Sequence, residues 1–162
     1  MNAGNETQLG LAEYRAVARQ AVRESMVLLK NNKQTLPLNS SSTILVVGDG
    51  ANSISKTSGG WTLSWQGTGH SNDEFPNGES ILEGIRQLVN AAGGRVIYSE
   101  TGEVPYPVDA VIAVYGEDPY AEFQGDREHL DFEPNGFDVS LLAEYQSENI
   151  PVISVFLSGR PM

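Results

Sequence analysis

Thr43-Ile44-Leu45-Val46-Val47-Gly48 decides the fold, because it is a short, uninterrupted apolar run rich in β-branched residues that stops at a glycine. A run of this kind predicts a strand that is covered on both faces, as in a parallel sheet. Three later runs have the same character. We therefore expect four buried strands, over residues 43–48, 95–98, 109–115 and 151–157.

Helical patterns lie between these runs. Apolar residues spaced by three and four predict an amphipathic helix from about 7 to 30. A second helix is expected over 80–92, with Ile81, Ile85, Leu88 and Val89 on one side, and a third over roughly 138–148. Helices alternating with buried strands imply right-handed crossovers. The sequence thus predicts an α/β fold: a three-layer α/β/α sandwich with a mostly parallel open sheet, flavodoxin-like or Rossmann-like.

The length of 162 residues fits one domain over 1–162, with 1–10 as a boundary or linker segment. Residues 158–162 follow a strand at the point where such a fold normally goes on to a helix. We therefore expect the sandwich to be incomplete at its C-terminus. The N-terminus has neither a basic region nor an apolar stretch, so no signal peptide is expected in this chain. No apolar run approaches the ~20 residues that span a bilayer, so no membrane partner is expected.

Composition excludes several classes of function. The formal net charge of -11 repels phosphate backbones, so nucleic acid is not expected as a partner, whereas neutral ligands such as sugars suit this surface. The absence of cysteine excludes disulfides, zinc–thiolate sites and thiol nucleophiles. No cofactor and no catalytic metal are expected, since the acidic residues near the two histidines fit no calcium-loop spacing. With only two histidines and no Gly-x-Ser-x-Gly elbow, no Ser-His-Asp arrangement is expected.

Two long loops, 49–77 and 116–135, leave the carboxyl ends of predicted strands, where ligands bind in sheets of this kind. The first opens with Gly48-Asp49-Gly50-Ala51-Asn52-Ser53, which resembles a dinucleotide-binding fingerprint. Ser53 replaces the third glycine, no helical pattern opens directly behind it, and Asp49 stands where a pyrophosphate would go. A tight turn is favoured, and a nucleotide-binding regulatory domain stays open as an alternative.

The same loop contains Gly59-Gly60-Trp61 and, four residues later, Trp65. Glycines let the backbone turn sharply, so that an indole can stand out of the loop. A flat indole covers the C–H face of a sugar ring, which makes Trp61 a candidate substrate-binding residue. The alternative is that both tryptophans are buried anchors, because Trp is usually well buried.

The second loop brings a carboxyl group, Glu117, directly beyond a buried strand and close in sequence to Tyr120 and Phe123. A carboxylic acid beside apolar rings has its charged form disfavoured, so its pKa rises toward that of a general acid. Glu117 is therefore a candidate catalytic residue. Glu122 and Asp126 are less well placed, and acidic loop residues are most often only solvated.

Taken in order, these motifs resemble the second domain of the family 3 glycoside hydrolases, the β-glucosidase and exo-β-glucan glucohydrolase group. The resemblance covers the chain from about residue 12 to its end. The matching pieces are Arg23-Glu24-Ser25-Met26-Val27-Leu28-Leu29-Lys30-Asn31 with Leu36-Pro37-Leu38, the strand ending at Gly48, Gly59-Gly60-Trp61, Gly116-Glu117-Asp118-Pro119-Tyr120 with Glu122 and Gly125-Asp126, and Leu157-Ser158-Gly159-Arg160-Pro161.

The resemblance implies a two-domain active site, in which an upstream (β/α)₈ barrel of the same protein supplies an aspartate nucleophile. Glu117 would be the acid/base of a retaining exo-acting β-glucosidase, and Trp61 would stack on a sugar next to the cleaved bond. The substrate would be a β-glucan or gluco-oligosaccharide, and the location periplasmic or extracellular. Without the barrel, this polypeptide is expected to be inactive.

One alternative from another class remains: a non-catalytic carbohydrate-binding module that uses Trp61 and Trp65 as a platform. Such a module would tolerate Glu117→Gln with little loss of affinity. The sequence assigns no substrate contact to Trp65 or Glu122.

Overall fold

The computed structural model describes residues 4–103 and 107–162, and it divides into two compact units after Leu38. The first unit contains one α-helix, α1 (Ala12–Ser25), with short 3₁₀ turns at Glu6–Gln8 and Asn32–Gln34. The helix predicted from 7 to 30 was therefore too long at both ends. At Met26 the backbone becomes extended, with φ -67° and ψ 129°. Four consecutive apolar residues follow from that point, and such a run lacks the helical period.

The second unit is built on four parallel strands. Its strands and helices follow in the order β1 (Thr43–Val47), α2 (Ile54–Ser58), α3 (Ile81–Ala91), β2 (Arg95–Ser99), β3 (Ala110–Gly116), α4 (Ser140–Ser147) and β4 (Val152–Leu157). The sheet order is β2-β1-β3-β4. The predicted α/β fold and parallel sheet are confirmed, and each strand end lies within a residue of its expected position.

Two helices differ from the sequence prediction. The short helix α2 was not predicted, yet the Ser53 hydroxyl accepts a hydrogen bond from the Lys56 amide at 3.1 Å and caps its N-terminus. Helix α3 was predicted, but its buried face contains Leu82 and Val89, while Leu88 is 73% exposed. The helix begins at a capping box formed by Ser80 and Glu83.

The core lies on both faces of the sheet, because side chains alternate along each strand. On one face Leu45, Val47, Val111 and Ala113 pack with Tyr145 of α4. On the other face the buried partners include Ile44, Val46 and Val114, together with Leu82 of α3. The right-handed crossovers β1-α3-β2 and β3-α4-β4 run in opposite directions along the sheet, so their helices cover opposite faces.

The chain order reverses between β1 and β3, which are neighbours in the sheet. In open parallel sheets the crevice beyond such a reversal is where ligands bind. The segments that leave β1 and β3 at this point contain Asp49 and Glu117, respectively. The fold therefore brings the two functional loops predicted from the sequence to one place.

Among residues 4–103 and 107–162 there is no helix with the length and apolar character needed to cross a membrane.

Candidate functional site

Two loop segments form the site. We call residues 59–67 the Trp loop and residues 117–127 the Glu loop. The Gln66 side chain joins them: its amide oxygen accepts a hydrogen bond from the Ala121 N–H at 2.7 Å, and its NH₂ group donates to the Glu122 carbonyl at 3.0 Å. Gly60 packs directly against the Tyr120 carbonyl, where a Cβ atom would overlap the oxygen. The backbones of the two loops are thus in direct contact.

Three aromatic side chains, Trp61, Trp65 and Phe123, form what we call the aromatic platform. Their exposed fractions are 71%, 45% and 74%. Trp61 and Trp65 have ring centroids 6.2 Å apart, and Trp65 meets Phe123 edge to face at 5.7 Å. Large aromatic residues left exposed together indicate a binding surface, since single soluble domains rarely expose such patches.

The backbone is strained at this platform. Trp61, Leu63 and Phe123 have positive φ angles of 60°, 61° and 72°. A non-glycine residue in this region costs on the order of 1–3 kcal/mol, and such residues cluster at functional sites. The contacts between the loops hold these residues in a conformation that they would not adopt alone. The exposed placement of Trp61 agrees with the predicted substrate-binding role, which stays a prediction.

Glu122 lies beside the platform. The Trp65 indole N–H donates to its Oε2 at 2.7 Å. This hydrogen bond lowers the pKa of the Glu122 carboxyl, with a smaller contribution in the same direction from its own backbone amide. Because the folded-state pKa is lowered, the contact contributes stability above the unfolded pKa and is lost as the pH falls through the folded value.

This hydrogen bond gives a measurable pH dependence. The chain has two tryptophans, both in the Trp loop. We expect intrinsic fluorescence to change with a midpoint below 4.5, the ordinary value for the carboxyl, as protonation of Glu122 weakens its bond to Trp65. Emission is recorded against pH while far-UV circular dichroism monitors folding. The same transition surviving in Glu122→Gln would show that another group causes it.

Glu117 occupies a different environment from Glu122. Its side chain is 7% exposed. Arg160 lies 3.2 Å from Oε1 and 3.3 Å from Oε2, Arg127 lies 3.6 Å from Oε1, and the Ser158 hydroxyl donates to Oε2 at 2.7 Å. Burial of a carboxylate is tolerated only where donors and opposite charges surround it in this way.

The ring expected next to Glu117 contacts it only indirectly. Tyr120 stacks on Arg160, with the guanidinium carbon 4.0 Å from the ring centroid. Arg160 also donates to the Gly125 carbonyl at 2.6 Å. The apolar surroundings that we predicted for Glu117 are therefore charged surroundings, because the arginine of the later Ser-Gly-Arg-Pro segment folds back between the ring and the carboxylate. Arg160 thus bonds to both ends of the Glu loop, to Glu117 near its start and to Gly125 near its end. We describe this as closing the Glu loop.

A cavity of about 300 Å³ lies beside these groups. Its wall is shared by the end of α2, the Trp loop, the Glu loop and the segment after β4. Glu117 and Lys56 both line it. The cavity, the platform and both carboxyl groups therefore lie at the carboxyl edge of the sheet.

The structure also contains a Ser–His–Glu hydrogen-bond chain that the sequence analysis did not describe. His70 Nε2 lies 2.8 Å from the Ser64 hydroxyl, and Nδ1 lies 3.0 Å from Glu74 Oε1. The Ser64 hydroxyl also accepts from the Gly67 N–H at 3.2 Å. Residues close in sequence reach one another here because the chain turns through Ser71, whose amide donates to the Glu74 carboxylate. These hydrogen bonds connect the C-terminal part of the Trp loop to the segment that follows it.

The other predicted features are also located. In the part of the chain that the structure describes, no three or more His, Asp or Glu residues come together as a metal-binding group. His129 and Asp131 are 3.7 Å apart at the surface. Asp49, in the glycine-rich turn after β1, pairs with Lys56 at 2.5 Å. The turn thus directs the Asp49 carboxylate toward α2, the helix that follows the turn. A negative charge at this position disfavours binding of a phosphate group.

Sequence reasoning assigned no role to Lys56, Gln66, Arg127 or Arg160, and it expected Phe123 beside Glu117, whereas Phe123 packs on Trp65. The contacts of Gln66 and Phe123 depend on residues more than fifty positions away. The position of a single amide or aromatic side chain in a loop sequence does not indicate which distant residue it contacts. For Lys56 a signal existed, because Ser53 three residues earlier is a standard helix N-cap.

Known proteins with similar sequences point to the same family. The family model described as glycosyl hydrolase family 3 C-terminal domain matches residues 26–162. A lysosomal β-glucosidase of Dictyostelium discoideum is 33% identical over 99% of this chain and 21% of its own length. A periplasmic β-glucosidase of Salmonella typhimurium is 37% identical over 56% of this chain and 11% of its own length.

Among solved structures, the exo-1,3/1,4-β-glucanase of a Pseudoalteromonas species superposes with a TM-score of 0.93 at 49% identity, over 99% of this chain and 20% of that protein. The chain thus spans about a fifth of the length of the Dictyostelium and Pseudoalteromonas proteins. With the model match covering most of the sequence and the fold agreeing throughout, the chain belongs to the C-terminal domain family of the family 3 glycosyl hydrolases.

Proposed function

We propose that this domain supplies the acid/base carboxyl group and part of the sugar-binding surface of a retaining, exo-acting β-glucosidase. The substrate is the terminal β-D-glucosyl residue of a β-glucan or gluco-oligosaccharide. The single observation that carries the proposal is the contact between an exposed carboxylate, Glu122, and the indole of Trp65 on the aromatic platform. It brings a proton-transfer group to a surface shaped for sugar rings.

The relatives support the same activity. They include two β-glucosidases and an exo-1,3/1,4-β-glucanase. The resemblance to family 3 implies that an upstream (β/α)₈ barrel of the same protein provides the aspartate nucleophile. The lysosomal and periplasmic relatives support a location outside the cytosol, and we propose a periplasmic or extracellular one.

The reaction would proceed in two displacements. The barrel aspartate attacks the anomeric carbon as the acid of this domain protonates the departing glycosidic oxygen, and the C–O bond breaks. The same residue, now a carboxylate, removes a proton from water, which displaces the aspartate and releases glucose. The two carboxyl groups must lie roughly 5–5.5 Å apart for this mechanism.

Two residues compete for the acid/base role. Glu117 is the residue proposed from the sequence, and it lines the cavity. Glu122 has a specific observation in its favour: it is exposed, whereas the Glu117 side chain is 7% exposed and bonded at both oxygens. A proton donor must come within hydrogen-bond reach of the glycosidic oxygen. Accessibility supports Glu122 better, whereas the hydrogen bond from Trp65 lowers its pKa and so favours the carboxylate over the acid form. If Glu122 is the acid/base, Glu117 serves to hold the Glu loop.

Trp61 is proposed to stack on the sugar next to the cleaved bond. Its ring is the more exposed of the two indoles, and its backbone is held by a hydrogen bond from its N–H to the Trp65 carbonyl at 2.9 Å. Trp65 has a different role: its indole N–H donates to Glu122, so it orients the carboxylate.

The test of the activity uses the natural-length protein with cellobiose and laminaribiose to measure hydrolysis, and with an aryl β-D-glucoside, which releases a single glucose, to follow the anomer by NMR. A retaining enzyme releases the β-anomer first, and the α-anomer appears only by mutarotation. Initial release of the α-anomer would overturn the retaining mechanism. Binding of both disaccharides without hydrolysis would instead support the alternative of a non-catalytic carbohydrate-binding module, which the exposed platform alone would also serve.

A further inference from the structure

Lys56 is a buried cation that the proposed reaction does not use. Its side chain is 4% exposed, and it belongs to α2, three residues before the Trp loop begins. An ammonium group is costly to remove from water unless charged partners replace its hydration. The partners of Lys56 therefore have to explain why it is buried there.

Two carboxylates from two different segments meet this ammonium. Asp49, which follows β1, contacts Nζ through Oδ2 at 2.5 Å. Asp118, the second residue of the Glu loop, contacts it through Oδ1 at 3.1 Å. The Asn135 side-chain NH₂ donates to the other Asp118 oxygen at 2.9 Å. Lys56 is thus bonded to the segments that follow the two central strands, β1 and β3.

The two carboxylates differ in how far their negative charge depends on Lys56 for compensation. Asp49 is 17% exposed, and its buried Oδ1 has no hydrogen-bond partner within the described residues, so Lys56 is the cation that balances its charge. Asp118 is 53% exposed, and water can solvate it. The Asp118 bond is therefore not required to neutralise a buried charge. What that bond does is join the Glu loop to the helix that leads into the Trp loop.

We propose that Lys56 is a positioning residue that fixes the spacing between the Trp loop and the Glu loop. On one side it is three residues from Gly59, and on the other its partner Asp118 is adjacent to Glu117 and four residues from Glu122. This link lies at the base of the two loops, whereas Gln66 joins them nearer the aromatic platform. Its effect on turnover rests on the proposed function, and its effect on loop order does not.

The experiment compares Lys56→Met, Lys56→Arg and Asp118→Asn in the natural-length protein. Hydrogen exchange measured by mass spectrometry follows peptides covering 59–67, 117–127 and, as an internal reference, α3. Steady-state kinetics on cellobiose accompany it. Asp118→Asn keeps the size of the side chain and removes its charge, so it loosens the link while Lys56 stays paired with Asp49.

We expect Asp118→Asn to raise exchange in both loops together and to leave α3 unchanged. Lys56→Met also leaves the Asp49 carboxylate without its cation, so it should raise exchange in both loops more than in α3. The kcat/KM for cellobiose should fall about 10–100-fold in Lys56→Met, because a displacement near 1 Å is enough for such a loss. Lys56→Arg, which keeps the charge, should recover most of both readouts. Asp118→Asn should show the same pattern with a smaller amplitude.

Unchanged exchange in both loops of both variants would overturn the positioning role. A rise in exchange that includes α3 to the same extent would also overturn it, because that would be general destabilisation. If Lys56→Met does not fold, Asp118→Asn alone decides. If the wild-type protein hydrolyses no glucoside, the proposed function fails, and the exchange of the two loops still tests this inference.

Discussion

Replacing Glu122 by alanine in the natural-length protein is expected to reduce kcat for cellobiose by about 10²–10⁴-fold, the usual contribution of a general acid–base group. Cellobiose has a poor leaving group, so departure of its oxygen needs a proton. An activated aryl β-glucoside leaves without one, and its first step should be nearly unaffected. Added azide should then restore turnover of the activated substrate, because azide can attack the glycosyl-enzyme without a general base.

Glu128→Ala is the matched control, since it removes an exposed carboxylate of the same type close by in the chain. It should keep near-normal kinetics. Glu117→Ala is the decisive comparison. If Glu122→Ala retains normal rates while Glu117→Ala loses turnover and is rescued by azide, the proton donor is the residue predicted from the sequence. If both lose turnover but only Glu122→Ala is rescued, Glu117 supports the loop, as its two arginine partners suggest.

Arg160→Ala is expected to destabilise the 162-residue chain strongly, because it takes the nearest cation away from the Glu117 carboxylate, which is 7% exposed. Glu117 then keeps only Arg127, at 3.6 Å, and the Ser158 hydroxyl as partners, so the unfolding free energy should fall by more than the roughly 0.5 kcal/mol typical of a surface substitution. The change also removes the bond to the Gly125 carbonyl and the stacking on Tyr120. Urea unfolding monitored by tryptophan fluorescence measures the change in unfolding free energy, since both indoles lie in the adjoining Trp loop.

Arg23→Ala is a suitable control for this measurement, because Arg23 is an exposed residue of α1. A surface substitution of this kind should stay within roughly 0.5 kcal/mol of the wild type. An Arg160→Ala effect as small as that of the control would mean that Arg127 alone is enough to hold Glu117. The view that Arg160 closes the Glu loop would then be wrong.

The sheet could be predicted from the sequence because its information is local. Thr43–Val47 and Ala110–Gly116 are short apolar runs, and a strand buried on both faces needs that composition wherever it occurs. Their order with intervening helices limits the topology through the handedness of the crossovers. The position of the candidate site was proposed on a local basis as well, since loops at the carboxyl ends of such strands commonly hold ligands.

Helix limits were less predictable. The period of α3 was evident, and Ile81, Ile85 and Val89 are half-buried or buried as predicted, but Leu88 is exposed and Leu82 is buried instead. The five-residue helix α2 was missed because it is too short to show a period. Its presence matters, since it brings Lys56 to the site.

By itself, the sequence determined the parallel sheet, the two candidate loops and the presence of a carboxyl group and an indole at the carboxyl edge of the sheet. Only the tertiary structure decided which carboxyl group is accessible. Glu117 and Glu122 are five residues apart in one loop, and their difference comes from Arg160, more than thirty residues later, which folds back onto Glu117 and leaves Glu122 beside Trp65. Burial and charge at a loop residue depend on distant partners, and no local pattern encodes them.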